Sequence, residues 1–142
     1  MVEDTARRFP ADNPYHTLLG VELVSRGRGQ ARCRLPVTEK VRGGVAGSVH
    51  GGAISALVDI VTLAAVSSVA GPDEQMAGTA ELSVSYLRPA LGDATDAEAR
   101  ILKKGRTLIV LDVDVTDGDG RLVAKGRVSY ALRPAALTRT MA

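Results

Sequence analysis

One apolar stretch constrains the fold of this chain more than any other feature. Residues 53–70, AISALVDIVTLAAVSSVA, contain 13 apolar residues among 18 and a single charge, Asp59. A membrane span needs about 20 mainly apolar residues, and an Asp at its centre opposes insertion by about 2.5–3.5 kcal/mol. A helix that is apolar almost all round is instead typical of burial inside a soluble fold. We therefore predict a buried helix over residues 51–70, ending near Gly71-Pro72, and no membrane partner.

The segments on either side of this helix alternate apolar and polar residues, which is the pattern of half-buried β-strands. Turn signals divide them into six strands, two within residues 19–37, then Thr79–Leu87, Thr95–Lys104 and a final pair around a turn at residues 117–120. One long apolar helix and an antiparallel sheet predict an α+β domain whose sheet wraps around the helix. Counting back from the last turn places Asp112 opposite Lys125 on the polar face of that hairpin.

Length and composition indicate a single globular domain. The chain has 142 residues, of which 45% are hydrophobic and 24% charged, and its net charge is +2. Because a domain averages about 150 residues, we expect one domain over residues 1–142, with residues 1–17 forming an N-terminal arm or a short helix. The first residues contain no apolar stretch of the kind that a signal peptide needs, so a cytoplasmic location is expected.

Several kinds of site lack the residues that they require. One Phe, three Tyr and no Trp cannot supply the stacking platforms of a single-strand nucleic-acid binder, so nucleic acid is not an expected partner. A lone cysteine, Cys33, and two His complete neither an intramolecular disulfide nor a four-ligand zinc site, so no metal is expected. Cys33 lies on the apolar face of a predicted strand and is interpreted as a core residue.

The start of the predicted helix carries two glycines, Gly51 and Gly52, directly after His50. Glycine costs about 1 kcal/mol relative to Ala inside a helix, whereas a helix start offers unpaired backbone N–H groups and a partial positive charge. Glycines let a ligand approach those N–H groups closely, which suits a carbonyl oxygen that becomes an oxyanion. A flexible loop before the helix is the alternative that the spacing leaves open.

Asp59 is the second unusual residue, because it is the one ionisable group between His50 and Asp73. A carboxylate in an apolar helix must be paired, protonated or functional. The alternative to a functional role is a side chain that points to a polar rim or is hydrogen-bonded to a neighbouring residue such as Ser55 or Thr62.

The spacing of these two features predicts a symmetric dimer. Asp59 lies eight residues after Gly51, which is about 12 Å along one helix at 1.5 Å per residue. A carboxylate at that distance cannot act on a carbonyl held by the Gly51 N–H of the same chain. Two antiparallel helices around a two-fold axis would bring Asp59 of one subunit to Gly51 of the other, which predicts two composite sites per dimer.

Three runs of residues resemble one known family. HGGAISALVD begins at His50, SVSYLRPA begins at Ser83, and ILKKGRTLIVLDVDVTDGDGRLVAKGRVSY begins at Ile101. Together they resemble the hotdog-fold acyl-CoA thioesterases of the phenylacetic-acid-degradation (PaaI-type) group, over roughly residues 18–132. The resemblance implies an antiparallel sheet wrapped around one long central helix, and hydrolysis of an acyl-CoA substrate with no cofactor beyond the coenzyme A of that substrate. It also implies a homodimer that commonly pairs into a homotetramer.

The resemblance further implies roles for individual residues. Asp59 matches the catalytic carboxylate, which acts as general base on water or as nucleophile through an anhydride. Gly51 matches the glycine whose N–H polarises the thioester carbonyl, and His50 matches the histidine that positions the thioester or its loop. Thr79, at the start of a predicted strand, matches the hydroxyl residue that assists the water. One departure is Gly44, where family members often carry an Asn.

Substrate-binding residues are expected near these groups. Gly52 adds a second backbone N–H at the helix start. Because coenzyme A carries phosphates, basic side chains near the groove are expected. The candidates are Arg88 at a strand end and Lys103, Lys104 and Arg106 around the next turn. For these basic residues the alternative is an ordinary solvated turn.

Two other functions stay open. A hotdog hydratase or dehydratase pairs a His with an acidic residue, but neither His16 nor His50 follows an Asp with the four-residue spacing of that signature. A non-catalytic acyl-CoA sensor would keep the pocket and lose the carboxylate. Gly44 in place of Asn favours the sensor, whereas the presence of Asp59 argues against it.

Overall fold

The computed structural model describes residues 13–134. Its elements, in chain order, are α1 (Pro14–Leu19), β1 (Glu22–Gly27), β2 (Gln30–Pro36), a short 3-10 helix (Val45–Gly47), α2 (Gly51–Ser67), β3 (Glu74–Tyr86), β4 (Ala94–Lys104), β5 (Leu108–Thr116) and β6 (Leu122–Pro134). Of the N-terminal arm or short helix predicted over residues 1–17, residues 1–12 lie outside the described part. Asn13 caps α1, because its side chain accepts hydrogen bonds from the backbone N–H groups of Tyr15 and His16.

The six strands form one antiparallel sheet in the order β1-β2-β4-β5-β6-β3. Helix α2 packs against the inner face of the sheet and contacts all six strands. The predicted α+β fold, an antiparallel sheet wrapped around one long central helix, is confirmed, and it is the hotdog fold that the resemblance implies. Strands β1 and β3 form the two edges of this sheet.

Most residues of helix α2 are buried, as its sequence predicts. Leu57, Val58 and Val61 have no exposed surface at all. The sheet approaches closely at Gly126 of β6, where an added Cβ would lie 2.9 Å from Cγ1 of Val58. A glycine is therefore needed there to let the helix pack so near the backbone of the strand. Within residues 13–134 no helix is long and apolar enough to cross a membrane.

Cys33 has the environment of a core residue. It lies on β2 with no exposed surface, and burial raises the pKa of its thiol to about 12. The interpretation of this cysteine as a core residue is therefore confirmed.

The last hairpin differs from its prediction. Lys125 lies opposite Asp114, and Asp112 lies opposite Arg127. The predicted pairing of Asp112 with Lys125 is wrong, because the loop is longer than two residues and the register shifts again where Val123 adds a residue to β6. All four charges keep the predicted polar face, and the Lys125 ammonium still lies 3.3 Å from Oδ2 of Asp112.

Candidate active site

The carboxylate of Asp59 is exposed on a helix that the sheet otherwise buries. Its Oδ1 accepts a hydrogen bond of 2.6 Å from the hydroxyl of Thr79 on β3. A bond to Thr62 is not formed, because that hydroxyl donates to the carbonyl oxygen of Val58. Asp59 and Thr79, both predicted as site residues, thus form one hydrogen-bonded pair in the fold.

Bulges in β3 direct the side chain of Thr79 towards α2. This strand begins at Glu74 rather than at the predicted Thr79, so Thr79 lies in its middle. The register against β6 shifts between Met76 and Gly78 and again between Thr79 and Glu81. Such bulges bend a strand and redirect its side chains. Gly78 lies between them with a φ of +114°, a conformation that a side chain would strain.

Tyr130 of β6 belongs to the same cluster. It pairs directly with Thr79 across the sheet and is only 5% exposed. Burial raises the pKa of its hydroxyl, and the negative charge of Asp59 raises it further, while a hydrogen bond from the Gly78 backbone lowers it. The phenol therefore stays protonated beside the carboxylate at neutral pH. Only the scarcity of aromatic residues in the chain could have drawn attention to Tyr130 beforehand.

His50 caps the start of α2. Its Nδ1 accepts a hydrogen bond of 2.8 Å from the backbone N–H of Gly52. The imidazole that accepts at Nδ1 carries its proton on Nε2 when it is neutral. The Gly52 N–H is therefore occupied by the cap and does not offer the second free donor that the sequence suggested.

The backbone N–H of Gly51 has no acceptor within residues 13–134. It belongs to the peptide group whose oxygen, on His50, accepts hydrogen bonds from the N–H groups of Ala53 and Ile54 at 2.9 and 3.1 Å. Bonds to the oxygen of a peptide polarise its N–H and strengthen it as a donor, and the helix dipole adds a partial positive charge at the same place. Gly51 is therefore suited to hold an oxyanion.

A groove of about 310 Å³ opens beside Gly51, between the loop that precedes α2 and the segment that follows β3. Aliphatic side chains form much of its lining, among them Val45, Ile54 and Leu87. Arg88 is its one cationic lining residue and has no ion-pair partner in the part of the chain that the structure describes. The groove therefore suits a largely apolar ligand that carries a negative charge.

Gly44, where members of the family often carry Asn, also lines this groove. A Cβ added at Gly44 would overlap the hydroxyl of Ser48 and lie 2.7 Å from the carbonyl oxygen of Val49. The loop thus folds so closely on itself that no side chain fits at this position without a movement of the backbone. The asparagine that family members often carry could therefore not be placed at Gly44 with this loop conformation.

The remaining basic residues lie elsewhere in the chain. Lys103, Lys104 and Arg106 are at the turn between β4 and β5, which is at the opposite end of the sheet from the groove and Arg88. Lys104 is not free, since its Nζ lies 2.9 Å from Oε1 of Glu74. Within one chain, only Arg88 of the predicted basic residues is brought to the groove.

Gly51 and Asp59 also remain separate within one chain. Helix α2 runs without interruption from Gly51 to Ser67. The eight residues between the two groups therefore span about 12 Å along its axis. The structure therefore presents two separate parts of a candidate site. One is the Asp59 carboxylate with the Thr79 hydroxyl, and the other is the Gly51 N–H beside the groove.

Comparison with known proteins gives one consistent result. The model of the thioesterase superfamily matches residues 46–124. Acyl-coenzyme A thioesterase 13 of Homo sapiens is 33% identical over 104 residues, which are 71% of this chain and 71% of that protein.

Solved structures agree with this result. A conserved protein from Pseudomonas aeruginosa superposes with a TM-score of 0.78 at 36% identity, covering 87% of this chain and 100% of that chain. The PaaI protein of the E. coli phenylacetic acid degradation operon superposes with a TM-score of 0.76 at 21% identity, covering 91% of this chain and 93% of its own. The PaaI structure, at that identity, supports the fold alone.

Proposed function

The chain belongs to the thioesterase superfamily and is a thioesterase, and from this premise we propose that it hydrolyses an acyl-coenzyme A thioester to the free acid and coenzyme A. The observation that carries the proposal is the exposed Asp59 carboxylate, held by Thr79 on a mostly buried, apolar helix. The likeness to a human acyl-coenzyme A thioesterase supports coenzyme A as the leaving group.

In the proposed reaction Asp59 acts as general base. The hydroxyl of Thr79 uses its single proton in the hydrogen bond that it donates to Oδ1 of Asp59. The threonine oxygen can therefore accept a hydrogen bond from water, and Oδ2 of Asp59 is left to receive a proton. The water oxygen bonds to the thioester carbon as its proton passes to Oδ2, and the Gly51 N–H of the partner subunit holds the resulting oxyanion. The carbon–sulfur bond then breaks, and the coenzyme A thiolate takes the proton from Asp59.

The alternative chemistry uses Asp59 as the nucleophile. Its oxygen then attacks the thioester carbon, the thiolate leaves, and water hydrolyses the acyl anhydride that has formed. A single turnover in ¹⁸O-labelled water separates the two routes, because label in the Asp59 carboxylate indicates the anhydride.

We propose further that each complete site forms between two subunits. The exposed Gly52 and Asp59 and the half-buried Leu63 mark one side of α2, which is the side left uncovered by the sheet. The edge strand β3, 13 residues long, is open to pairing with another chain. A second copy related by a two-fold axis would cover both and bring Asp59 of one chain to Gly51 of its partner.

This arrangement also gives a role to the basic residues at the turn between β4 and β5. A two-fold axis that reverses the helices reverses the two ends of the sheet as well. The turn with Lys103 and Arg106 then lies at the same end as the partner's groove, where phosphates of coenzyme A can form charge-assisted hydrogen bonds with it. We expect loss of these two side chains to raise KM and leave kcat nearly unchanged.

The function is tested with the purified full chain and a panel of phenylacetyl, benzoyl and straight-chain CoA thioesters, with a reagent that traps the released thiol. Release of coenzyme A with at least one thioester, and much slower hydrolysis of the matching oxygen ester, would support the proposal. Binding of the thioesters without release of thiol would contradict it and favour the sensor. Sedimentation equilibrium on the same sample distinguishes monomer, dimer and tetramer.

A further inference from the structure

Tyr86 makes a contact with the helix start that the proposed chemistry has not used. It lies at the end of β3, and its hydroxyl donates a hydrogen bond of 2.8 Å to the carbonyl oxygen of Gly51. The same hydroxyl is also hydrogen-bonded to the side chain of Ser55. The ring lies against Gly51, where an added Cβ would be 3.4 Å from Cε1 of the tyrosine.

The protons of this cluster can be assigned. A carbonyl oxygen only accepts, so the single hydroxyl proton of Tyr86 points to Gly51. Ser55 must then donate its own proton to the tyrosine oxygen. The result is a chain of hydrogen bonds from Ser55 through Tyr86 to the first turn of α2.

The peptide group between Gly51 and Gly52 is consequently held at both ends. Its oxygen accepts from Tyr86 and its N–H donates to Nδ1 of His50. Two consecutive glycines would otherwise leave this turn with more backbone freedom than any other residue pair allows. A donor that stabilises an oxyanion must be oriented before the charge develops, because its reorientation during the reaction costs rate.

We infer that Tyr86 is a positioning residue for the proposed reaction, with its hydroxyl holding the first turn of α2 so that the Gly51 N–H faces the groove. This inference rests on the proposed function, since it concerns the donor that would hold the oxyanion. Tyr86 acts through Gly51, and Ser55 acts through Tyr86. The ring also forms part of the groove wall, so the hydroxyl and the ring have separable effects.

The variant Tyr86→Phe tests the inference, because it keeps the ring and removes the hydroxyl. We expect kcat to fall about tenfold with KM within about twofold of the wild type, which is the size expected for one lost positioning hydrogen bond. Ser55→Ala should cause a smaller fall, and the double variant should match Tyr86→Phe because the two groups act in series. Tyr15→Phe is the matched control, since Tyr15 is likewise 53% exposed but lies on α1.

A second readout does not depend on catalysis. In ¹⁵N-labelled protein, Tyr86→Phe should shift the amide resonances of Gly51 and Gly52 and speed their hydrogen exchange, whereas Tyr15→Phe should leave both glycines unchanged. An unchanged kcat in Tyr86→Phe, a change confined to KM, or additive effects of Ser55→Ala would each overturn the inference. If the wild type releases no thiol from any thioester, the proposed function fails. Glycine amides that are also unchanged in Tyr86→Phe would then show that the tyrosine hydroxyl does not hold the first turn of α2.

Discussion

The hydroxyl of Thr79 donates to Oδ1 of Asp59 across 2.6 Å, joining the middle of an edge strand to the middle of the central helix. This bond fixes one oxygen of the carboxylate and leaves the other without a partner within residues 13–134. A base that must accept a proton from water needs that combination of a fixed direction and a free lone pair.

Asp59→Asn retains the size of the side chain and its bond to Thr79 but removes the base. We expect kcat to fall about 10²–10⁴-fold, the usual contribution of a general base. The measurement is thiol release with the best substrate of the panel, and unchanged thermal unfolding is the control for folding. Activity within tenfold of the wild type would mean that the carboxylate does not take part in the reaction.

Thr79→Ser and Thr79→Val separate the hydroxyl from the shape of the residue. The serine variant keeps the donor to Asp59 and should retain most of kcat, whereas the valine variant keeps the shape and should lose about tenfold or more. Equal activity of the two variants would remove Thr79 from the mechanism. Their melting curves show whether either change affects the bulged region of β3.

Gly51→Pro removes one backbone N–H and adds a ring whose Cβ would lie about 3.4 Å from the ring of Tyr86. Proline is well tolerated at the first position of a helix, and the extended backbone of His50, with φ −59° and ψ 134°, suits a residue before proline. We expect kcat to fall about 10²–10³-fold if this N–H holds the oxyanion. Gly51→Ala is the control, because it keeps the N–H and adds only a methyl group.

The same variant tests the composite site by complementation. A heterodimer of Gly51→Pro with Asp59→Asn contains one site with both groups intact. Random assembly of the two inactive chains should therefore restore about a quarter of wild-type activity. A site built within one chain would give no restoration, and neither would a monomer.

Gly44→Ala examines the tight loop beside the groove. The new Cβ would lie 2.7 Å from the carbonyl oxygen of Val49, so the backbone must move, at a cost of about 1–3 kcal/mol in the free energy of unfolding. Gly27→Ala is a matched control, since its Cβ would meet nothing within 4 Å. Denaturant unfolding of both variants gives the comparison, and equal stability would show that the loop adapts freely.

The buried thiol of Cys33 affects two measurements. These are the background of the thiol-release assay and the stability of the folded protein at high pH. Burial raises the pKa of its thiol from 9.0 to about 12, so the folded chain should not react with a thiol reagent at pH 8, whereas the unfolded chain should expose one thiol. The unfolded thiol loses its proton near pH 9 while the folded thiol keeps it, so this contribution to stability is lost as pH rises from 9 towards 12. Cys33→Ala should weaken that pH dependence, and an unchanged dependence would contradict the assignment.

The sequence by itself determined the central helix and the antiparallel strands, and it singled out Asp59, Gly51 and Thr79 as candidate site residues. A helix that is apolar on nearly every side must be covered, and a period of two can be satisfied only by strands with one buried face. Asp59 and the glycines after His50 are exceptions to those patterns. They stand out because a carboxylate on an apolar helix and glycines inside a helix each lower the stability of the fold, which points to a functional role.

Tertiary structure decided how these residues meet. The bulges that turn Thr79 towards Asp59 and the added residue at Val123 depend on pairing between strands, which residue patterns do not encode. Gly44 lies close to the Val49 carbonyl, and the Tyr86 hydroxyl donates to the carbonyl oxygen of Gly51. Both contacts exist only because folding brings these segments together. Local periodicity specifies which face of an element is buried, whereas register and long-range hydrogen bonds follow from the packing of all elements together.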